Sequence, residues 1–174
     1  MPHHRYNARR RGIPIVKPVR ALLCVGSNLG NREDNIARGL SELALHPGIR
    51  IIARSSLFLT LPEGPPQPCY FNCAVLVETE MTPDELLRTC RETEDALGRV
   101  RKDKWGARTL DVDIILYGEQ VVSQENLEIP HPRFRDRLFV LLPASQIAPD
   151  MIDPVTEKSV LCLMKELMRQ KPTA

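Results

Sequence analysis

The sequence predicts an α+β fold built on one antiparallel sheet, and three observations carry that prediction. Apolar or alternating runs stand at 21–26, 49–60, 70–80 and 110–117, which is strand-like patterning. Two stretches of helical apolar spacing fall between them. The connection Leu61–Cys69 holds four prolines and a glycine, which is too long and too stiff for a tight hairpin turn.

Ala21–Gly26 is a short apolar run that ends in Gly-Ser-Asn, so it reads as a buried strand leading into a turn. From Asn31, the apolar positions Ile36, Leu40, Leu43 and Ala44 follow helical spacing until His46-Pro47-Gly48 stops them. Ile49–Thr60 is rich in β-formers and reads as one long strand; Tyr70–Glu80 alternates as a second. Thr82-Pro83-Asp84-Glu85 is a capping box with proline at the first helical position. That helix runs through Leu86, Leu87, Cys90 and Leu97, and Gly98 ends it. A polar loop then leads to a strand at Leu110–Tyr117, a turn at Gly118-Glu119, a short arm at about 121–129 and a terminal helical region. Strand–helix–strand–strand–helix–strand is the order of a ferredoxin-like βαββαβ sandwich, with helices packed mainly on one face.

A chain of 174 residues with 43% hydrophobic and 26% charged residues fits one globular domain, assigned to residues 20–174. Residues 1–19 hold Arg5, Arg9, Arg10, Arg11 and Lys17 and no acid, and are read as a flexible basic extension. It lacks the apolar core of a secretory signal. The remainder carries 22 acids against 19 bases, so the body is not a generally basic nucleic-acid binder. No apolar run approaches the roughly 18 residues of a membrane span. Five cysteines without a Cys-x-x-Cys pair read as reduced thiols, which points to the cytoplasm.

The chemistry centres on residues 98–117. Side chains alternate in a strand, so Leu110, Val112, Ile114 and Leu116 are expected on one apolar face and Asp111 and Asp113 on the other. The two acids are then about 6.6 Å apart at Cα and repel each other unless a cation lies between them. Magnesium suits that place, because it takes one or two carboxylates and fills its octahedron with water and phosphate oxygens. Two such ions can clamp a transferring phosphorus from both sides. Immediately upstream stand Arg99, Arg101, Lys102, Lys104 and Arg108, opposed only by Asp103. Arginines bind phosphate oxygens in forked geometry, and Trp105 in the same loop offers a flat face to a base or a guanidinium. Asp-x-Asp alone and a basic loop alone are each common on solvated surfaces; their coincidence beside the chain's one tryptophan favours a polyphosphate site. Gly26-Ser27-Asn28-Leu29-Gly30 lacks the Gly-Lys-Ser/Thr ending of a P-loop and reads as a turn. His131 follows Pro130 in a polar turn, where an exposed histidine is able to donate to a phosphate, a weak signal by itself.

With these residues in hand, the sequence resembles the 6-hydroxymethyl-7,8-dihydropterin pyrophosphokinase family over about residues 21–155. The motifs that carry the resemblance are Gly26-Ser27-Asn28-Leu29, Gly98-Arg99-Val100-Arg101, Arg108-Thr109-Leu110-Asp111-Val112-Asp113-Ile114, Pro130-His131 and Ile147-Ala148-Pro149. The resemblance implies pyrophosphoryl transfer from ATP to the pterin hydroxymethyl oxygen, with AMP as leaving group, in folate biosynthesis. It implies that Asp111 and Asp113 bind two magnesium ions and that Arg99 and Arg108 are catalytic. Arg101, Lys102, Trp105, His131 and Arg137 look like further ATP-side residues, with Leu87 and Ile114 near the adenine. Thr60, Pro62, Tyr70, Asn72, Trp105 and Phe139 are the implied pterin pocket. Leu61–Cys69 and Val100–Ala107 are the implied lids, which exclude water on closing. A monomer acting on two small molecules, with no nucleic-acid or membrane partner, is the expected state. The chain departs from the family at Leu61 and Glu63, where the pattern is often Thr-Pro-Pro-Leu, and Glu63 is expected to point outward. Ala107, Asn126, Glu128 and Pro132 depart as well.

Two other classes stand beside this one. A nucleotidyltransferase also pairs a Gly-Ser turn with Asp-x-Asp, but close together in sequence, whereas Ser27 and Asp111 are far apart. An RNA-binding ferredoxin-like module needs exposed sheet aromatics, and aromatics make up only 5% of the chain.

Overall fold

The structure is a computed structural model that describes residues 17–63, 66–98 and 107–170. The basic extension, apart from its last residues, therefore lies outside the described residues, as does most of the Val100–Ala107 loop.

The elements follow the order read from the sequence. A first strand β1 (Val19–Ser27) leads to helix α1 (Arg32–Leu45), then strands β2 (Ile49–Arg54), β3 (Phe58–Thr60) and β4 (Tyr70–Thr79). Helix α2 (Pro83–Ala96) precedes β5 (Asp111–Tyr117), and a small hairpin of β6 (Val122–Gln124) and β7 (Leu127–Ile129) follows. A 3-10 turn at Phe134–Asp136 and the helices α3 (Leu138–Ile147) and α4 (Val160–Gln170) complete the described chain. The main sheet runs β2-β4-β1-β5 with every pairing antiparallel, and β3 continues the β2 edge along β4. The capping box forms as written: Glu85 accepts from the Thr82 N–H at 2.7 Å and the Thr82 hydroxyl from the Glu85 N–H at 3.3 Å. Such a cap stabilises the helix by about 1 kcal/mol.

Two local expectations are corrected. The single strand expected over Ile49–Thr60 is broken at Ser55. Its N–H donates to the Ala74 carbonyl at 3.0 Å, while its hydroxyl accepts from the Ala74 N–H at 2.9 Å. A side-chain oxygen thus does the work of a ladder carbonyl, and the edge bends there without orphaning β4. The expected four-residue apolar face of β5 is interrupted by a register shift opposite Leu22 and Leu23, so Ile114 pairs with Leu23 but Leu116 with Leu22. One extra residue turns Leu116 to the other face, a consequence of the two-residue period of a strand.

The sheet is buried on both sides. Ile36, Leu40 and Leu43 of α1 and Leu86 and Cys90 of α2 pack on Leu23, Val25, Val75, Val77 and Val112. That is the helical face expected of the βαββαβ unit. The terminal helical region covers the opposite face: Phe134, Val140, Leu141, Leu163 and Leu167 pack on Leu22, Leu76, Ile115 and Leu116. Each fully buried leucine of this kind contributes about 1.5–3 kcal/mol. On that second face the rows nearer Ser27 carry Gly26, Asn72 and Asp111, which instead floor a cavity. Among the described residues, no helix is long and apolar enough to cross a membrane.

Candidate active site

Strand register assembles the site. Gly26 lies between Asn72 on β4 and Asp111 on β5, and Cys24 lies between Ala74 and Asp113. Side chains directly opposite in adjacent strands share a face, so both acids stand on the cavity side of the sheet. Gly26 must be glycine for a steric reason: a Cβ there would meet Asn72 Oδ1 at 2.4 Å. That clearance lets the Asn72 amide lie across the strand, where it donates to Thr60 Oγ1 at 2.7 Å.

Around this floor, Thr60, Leu61, Glu63, Gln67 and Tyr70 form one wall and Arg108, His131, Arg137 and Phe139 the other, enclosing about 260 Å³. Asn28, 1% exposed, fixes how the walls meet. Its N–H donates to the Arg108 carbonyl at 3.1 Å and its Oδ1 accepts from the Arg108 N–H at 2.7 Å. Its amide nitrogen donates to Gln67 Oε1 at 3.0 Å and to the Pro68 carbonyl at 3.3 Å. The Gly-Ser-Asn turn is therefore a clamp joining the end of β1, the proline-rich loop and the segment entering β5. Arg108 so held places Nη1 2.5 Å from Asp111 Oδ1. From behind, buried Glu94 of α2 accepts the Val112 N–H at 2.8 Å, which fixes the backbone between the two aspartates.

The electrostatics follow from this packing. Burial, and then the Asp111 charge, push Asp113 up to about 7, against the opposing pull of Arg137 and Arg108. Burial and the nearby Asp113 also raise the Cys24 thiol well above its usual range, so it remains a neutral thiol under the acids. Burial lowers His131 to about 4, and the Arg137 guanidinium adds to that. Its Nδ1 accepts from the Arg133 N–H at 3.2 Å, so the neutral ring carries its proton on Nε2 as a donor. Arg137 lies over the Phe139 ring at 5.4 Å from the centroid.

Two like charges crowded on one sheet face are an arrangement that a divalent cation relieves. Among the described residues, no group of three or more His, Cys, Asp or Glu side chains is placed to hold a metal. The neighbouring carboxylates of Asp111 and Asp113 fit magnesium, which takes one or two carboxylates and completes its octahedron with water and phosphate oxygens.

The cavity brings together Thr60, Tyr70, Asn72, Arg108, Asp111, Asp113, His131, Arg137 and Phe139 from the expected set. Pro62 sits between the lining residues Leu61 and Glu63 and does not itself line the cavity. Leu87 and Ile114 are not brought to it; both belong to the core under α1 and α2. Arg99, Arg101, Lys102 and Trp105 lie outside the described residues. Glu63, expected to point outward, instead lines the cavity and pairs with Arg133 and Arg137. Gln67 and the clamping role of Asn28 were not read from the sequence. The one local sign of the clamp was an amide following Gly-Ser at a strand end.

Comparison with known proteins decides the family. The family profile of 7,8-dihydro-6-hydroxymethylpterin-pyrophosphokinase (HPPK) matches residues 22–149, a span that contains every residue lining the cavity. The 2-amino-4-hydroxy-6-hydroxymethyldihydropteridine pyrophosphokinase of Synechocystis sp. is 42% identical over 147 residues, covering 84% of this chain and 75% of that one. The chain belongs to the HPPK family. An enzyme of the same name from Methylorubrum extorquens is 45% identical over 134 residues, 76% of this chain and 85% of its own. Among solved structures, wild-type Plasmodium falciparum HPPK-DHPS with pteroate superposes with a TM-score of 0.71 at 15% identity. The match covers 89% of this chain and 44% of that one. At that identity the likeness speaks for the HPPK fold alone, and this chain spans less than half of that longer protein.

Proposed function

We propose that this cavity carries out the HPPK reaction with its residues in the following roles. The protein is a transferase: it moves the terminal pyrophosphoryl group of ATP to the hydroxymethyl group of 6-hydroxymethyl-7,8-dihydropterin and releases AMP, a step of folate biosynthesis. The hydroxymethyl oxygen bonds to the β-phosphorus, the bond from that phosphorus to the α,β-bridging oxygen breaks, and the hydroxyl proton leaves to solvent.

Asp111 and Asp113 are the residues that hold magnesium, and two ions are the number proposed. The metal supplies charge neutralisation on the phosphates when bound. Arg108, oriented by Asp111 and by Asn28, faces the triphosphate and balances charge that builds on it as the bond breaks. His131, neutral with Nε2–H free to donate, and Arg137 contact phosphate oxygens from the same wall. Arg99, Arg101, Lys102 and Trp105 complete the nucleotide side. Asn72, with its amide set by Thr60, reads the pterin edge, and Tyr70 and Phe139 flank the ring. The working unit is proposed to be a monomer of one domain over residues 20–174, in the cytoplasm, where its five unpaired cysteines stay reduced. No nucleic acid or membrane partner is proposed.

The observation that carries these roles is the placement of Asp111, Asp113, Arg108, Arg137 and His131 around one cavity that Asn72 and Thr60 also line. Asp111→Asn and Asp113→Asn test it. Each is expected to lower pterin-dependent AMP release by at least about 10²-fold, the scale of losing one electrostatic element of a transfer site. Folded protein that retains activity within tenfold would contradict the metal assignment.

A further inference from the structure

Glu63 is the acid that the Leu61–Cys69 loop supplies, and it reaches across to the phosphate wall. Its Oε2 lies 3.1 Å from Arg133 Nη2 and 3.2 Å from Arg137 Nη2. The Glu63 side chain is 38% exposed and that of Arg137 15%. Among the described residues, the buried Arg137 Nε–H has no hydrogen-bond partner. One arm of this guanidinium is therefore occupied by a half-exposed carboxylate, while another donor has capacity for a further acceptor.

We propose that Glu63 is a positioning residue that stands in for a phosphate group on Arg133 and Arg137 in the nucleotide-free enzyme and competes with ATP for them. This rests on the reading that ATP binds in this cavity. A triphosphate displaces the carboxylate because it brings more charge and more acceptor oxygens to the same forked donors. The loop that carries Glu63 is tied at both ends. Thr60 is bonded to Asn72 at 2.7 Å, and Gln67 and Pro68 are held by Asn28 at 3.0 and 3.3 Å. Arg32 Nη1 donates to the Cys69 carbonyl at 2.8 Å.

The test is a titration of wild-type protein, Glu63→Gln and Glu63→Asp with magnesium and an ATP analogue whose α,β-bridging oxygen is replaced by methylene. A partly exposed ion pair is worth about a two- to fivefold change in an equilibrium constant. Glu63→Gln is expected to bind the analogue about two- to fivefold more tightly, with the gap narrowing as added salt screens the pair. Glu63→Asp, which keeps the charge, is expected between the two. Tighter binding separates competition from a merely structural contact, because a loosened loop would only weaken affinity. Unchanged or weaker binding by folded Glu63→Gln overturns the competition and leaves the reaction assignment standing. Wild-type protein that binds no analogue overturns both.

Discussion

Asp113 stands in the cavity floor two residues from Asp111, and its carboxyl is pushed up to about 7 by burial and by that neighbour. In metal-free protein at pH 8 the pair is a local cost, since like charges side by side on one sheet face repel. Asp113→Asn removes one of them. Melting in EDTA at pH 8 should therefore give a higher Tm than wild type, in the same variant whose turnover is lost. A lower Tm with retained turnover would show that Asp113 is a structural acid. His131 titrates in the opposite sense. Its folded value of about 4 lies below the ordinary 6.5, so between those values the unfolded chain takes up a proton that the folded chain refuses. Stability from this residue is complete above about pH 6.5 and falls as pH drops toward 4. The difference in Tm between wild type and His131→Gln should grow in the variant's favour from pH 7.5 to pH 4.5. A difference that is flat with pH would contradict the burial of the ring.

At the scale of elements, the end of β1 does two jobs that meet at one cavity. Gly26 clears space for the Asn72 amide, and Asn28 clamps the loop to the segment before β5. Gly26→Ala should raise the KM for the pterin about tenfold or more with little change in ATP affinity, because the added Cβ displaces Asn72 from Thr60. Steady-state kinetics with each substrate varied would check it, and an effect confined to ATP would contradict the assignment of the walls. Asn28→Ala leaves the Arg108 N–H without its side-chain acceptor, at a cost of about 1–3 kcal/mol. Tm should fall by several degrees and kcat should fall with it, since Arg108 loses its anchor. Asn28→Asp keeps the acceptor and should recover part of both. The strands, α1 and α2 were legible because period-2 and period-3.6 patterns and the Thr82–Glu85 cap are local signals. The break at Ser55 and the register shift opposite Leu22 and Leu23 were not, because each is defined by what the neighbouring strand offers.

For the molecule as a whole, α3 and α4 close the face of the sheet that adjoins the cavity, so the acids stand on a packed layer and not on an open sheet. Phe134, fully buried there, anchors that layer, and Phe134→Ala should cost about 3–5 kcal/mol of stability by thermal or denaturant unfolding. A variant that unfolds at the wild-type midpoint would contradict that packing. The aspartate pair and the bordering arginines and histidine of the cavity were legible as Asp-x-Asp beside a basic run and as motif residues spread from Asn72 to Arg137. The inward turn of Glu63 was not, because side-chain direction in a proline-rich loop is set by distant partners such as Arg133 and Arg137. The HPPK reaction makes one chemical demand, that attack occur at the β-phosphorus. Incubating the protein with ATP, magnesium and 6-hydroxymethyl-7,8-dihydropterin and identifying the nucleotide product tests it most directly. The account predicts AMP, formed in step with a pterin that carries two phosphorus atoms; ADP with a single phosphorus on the pterin, or free pyrophosphate with a nucleotide attached to it, would contradict it.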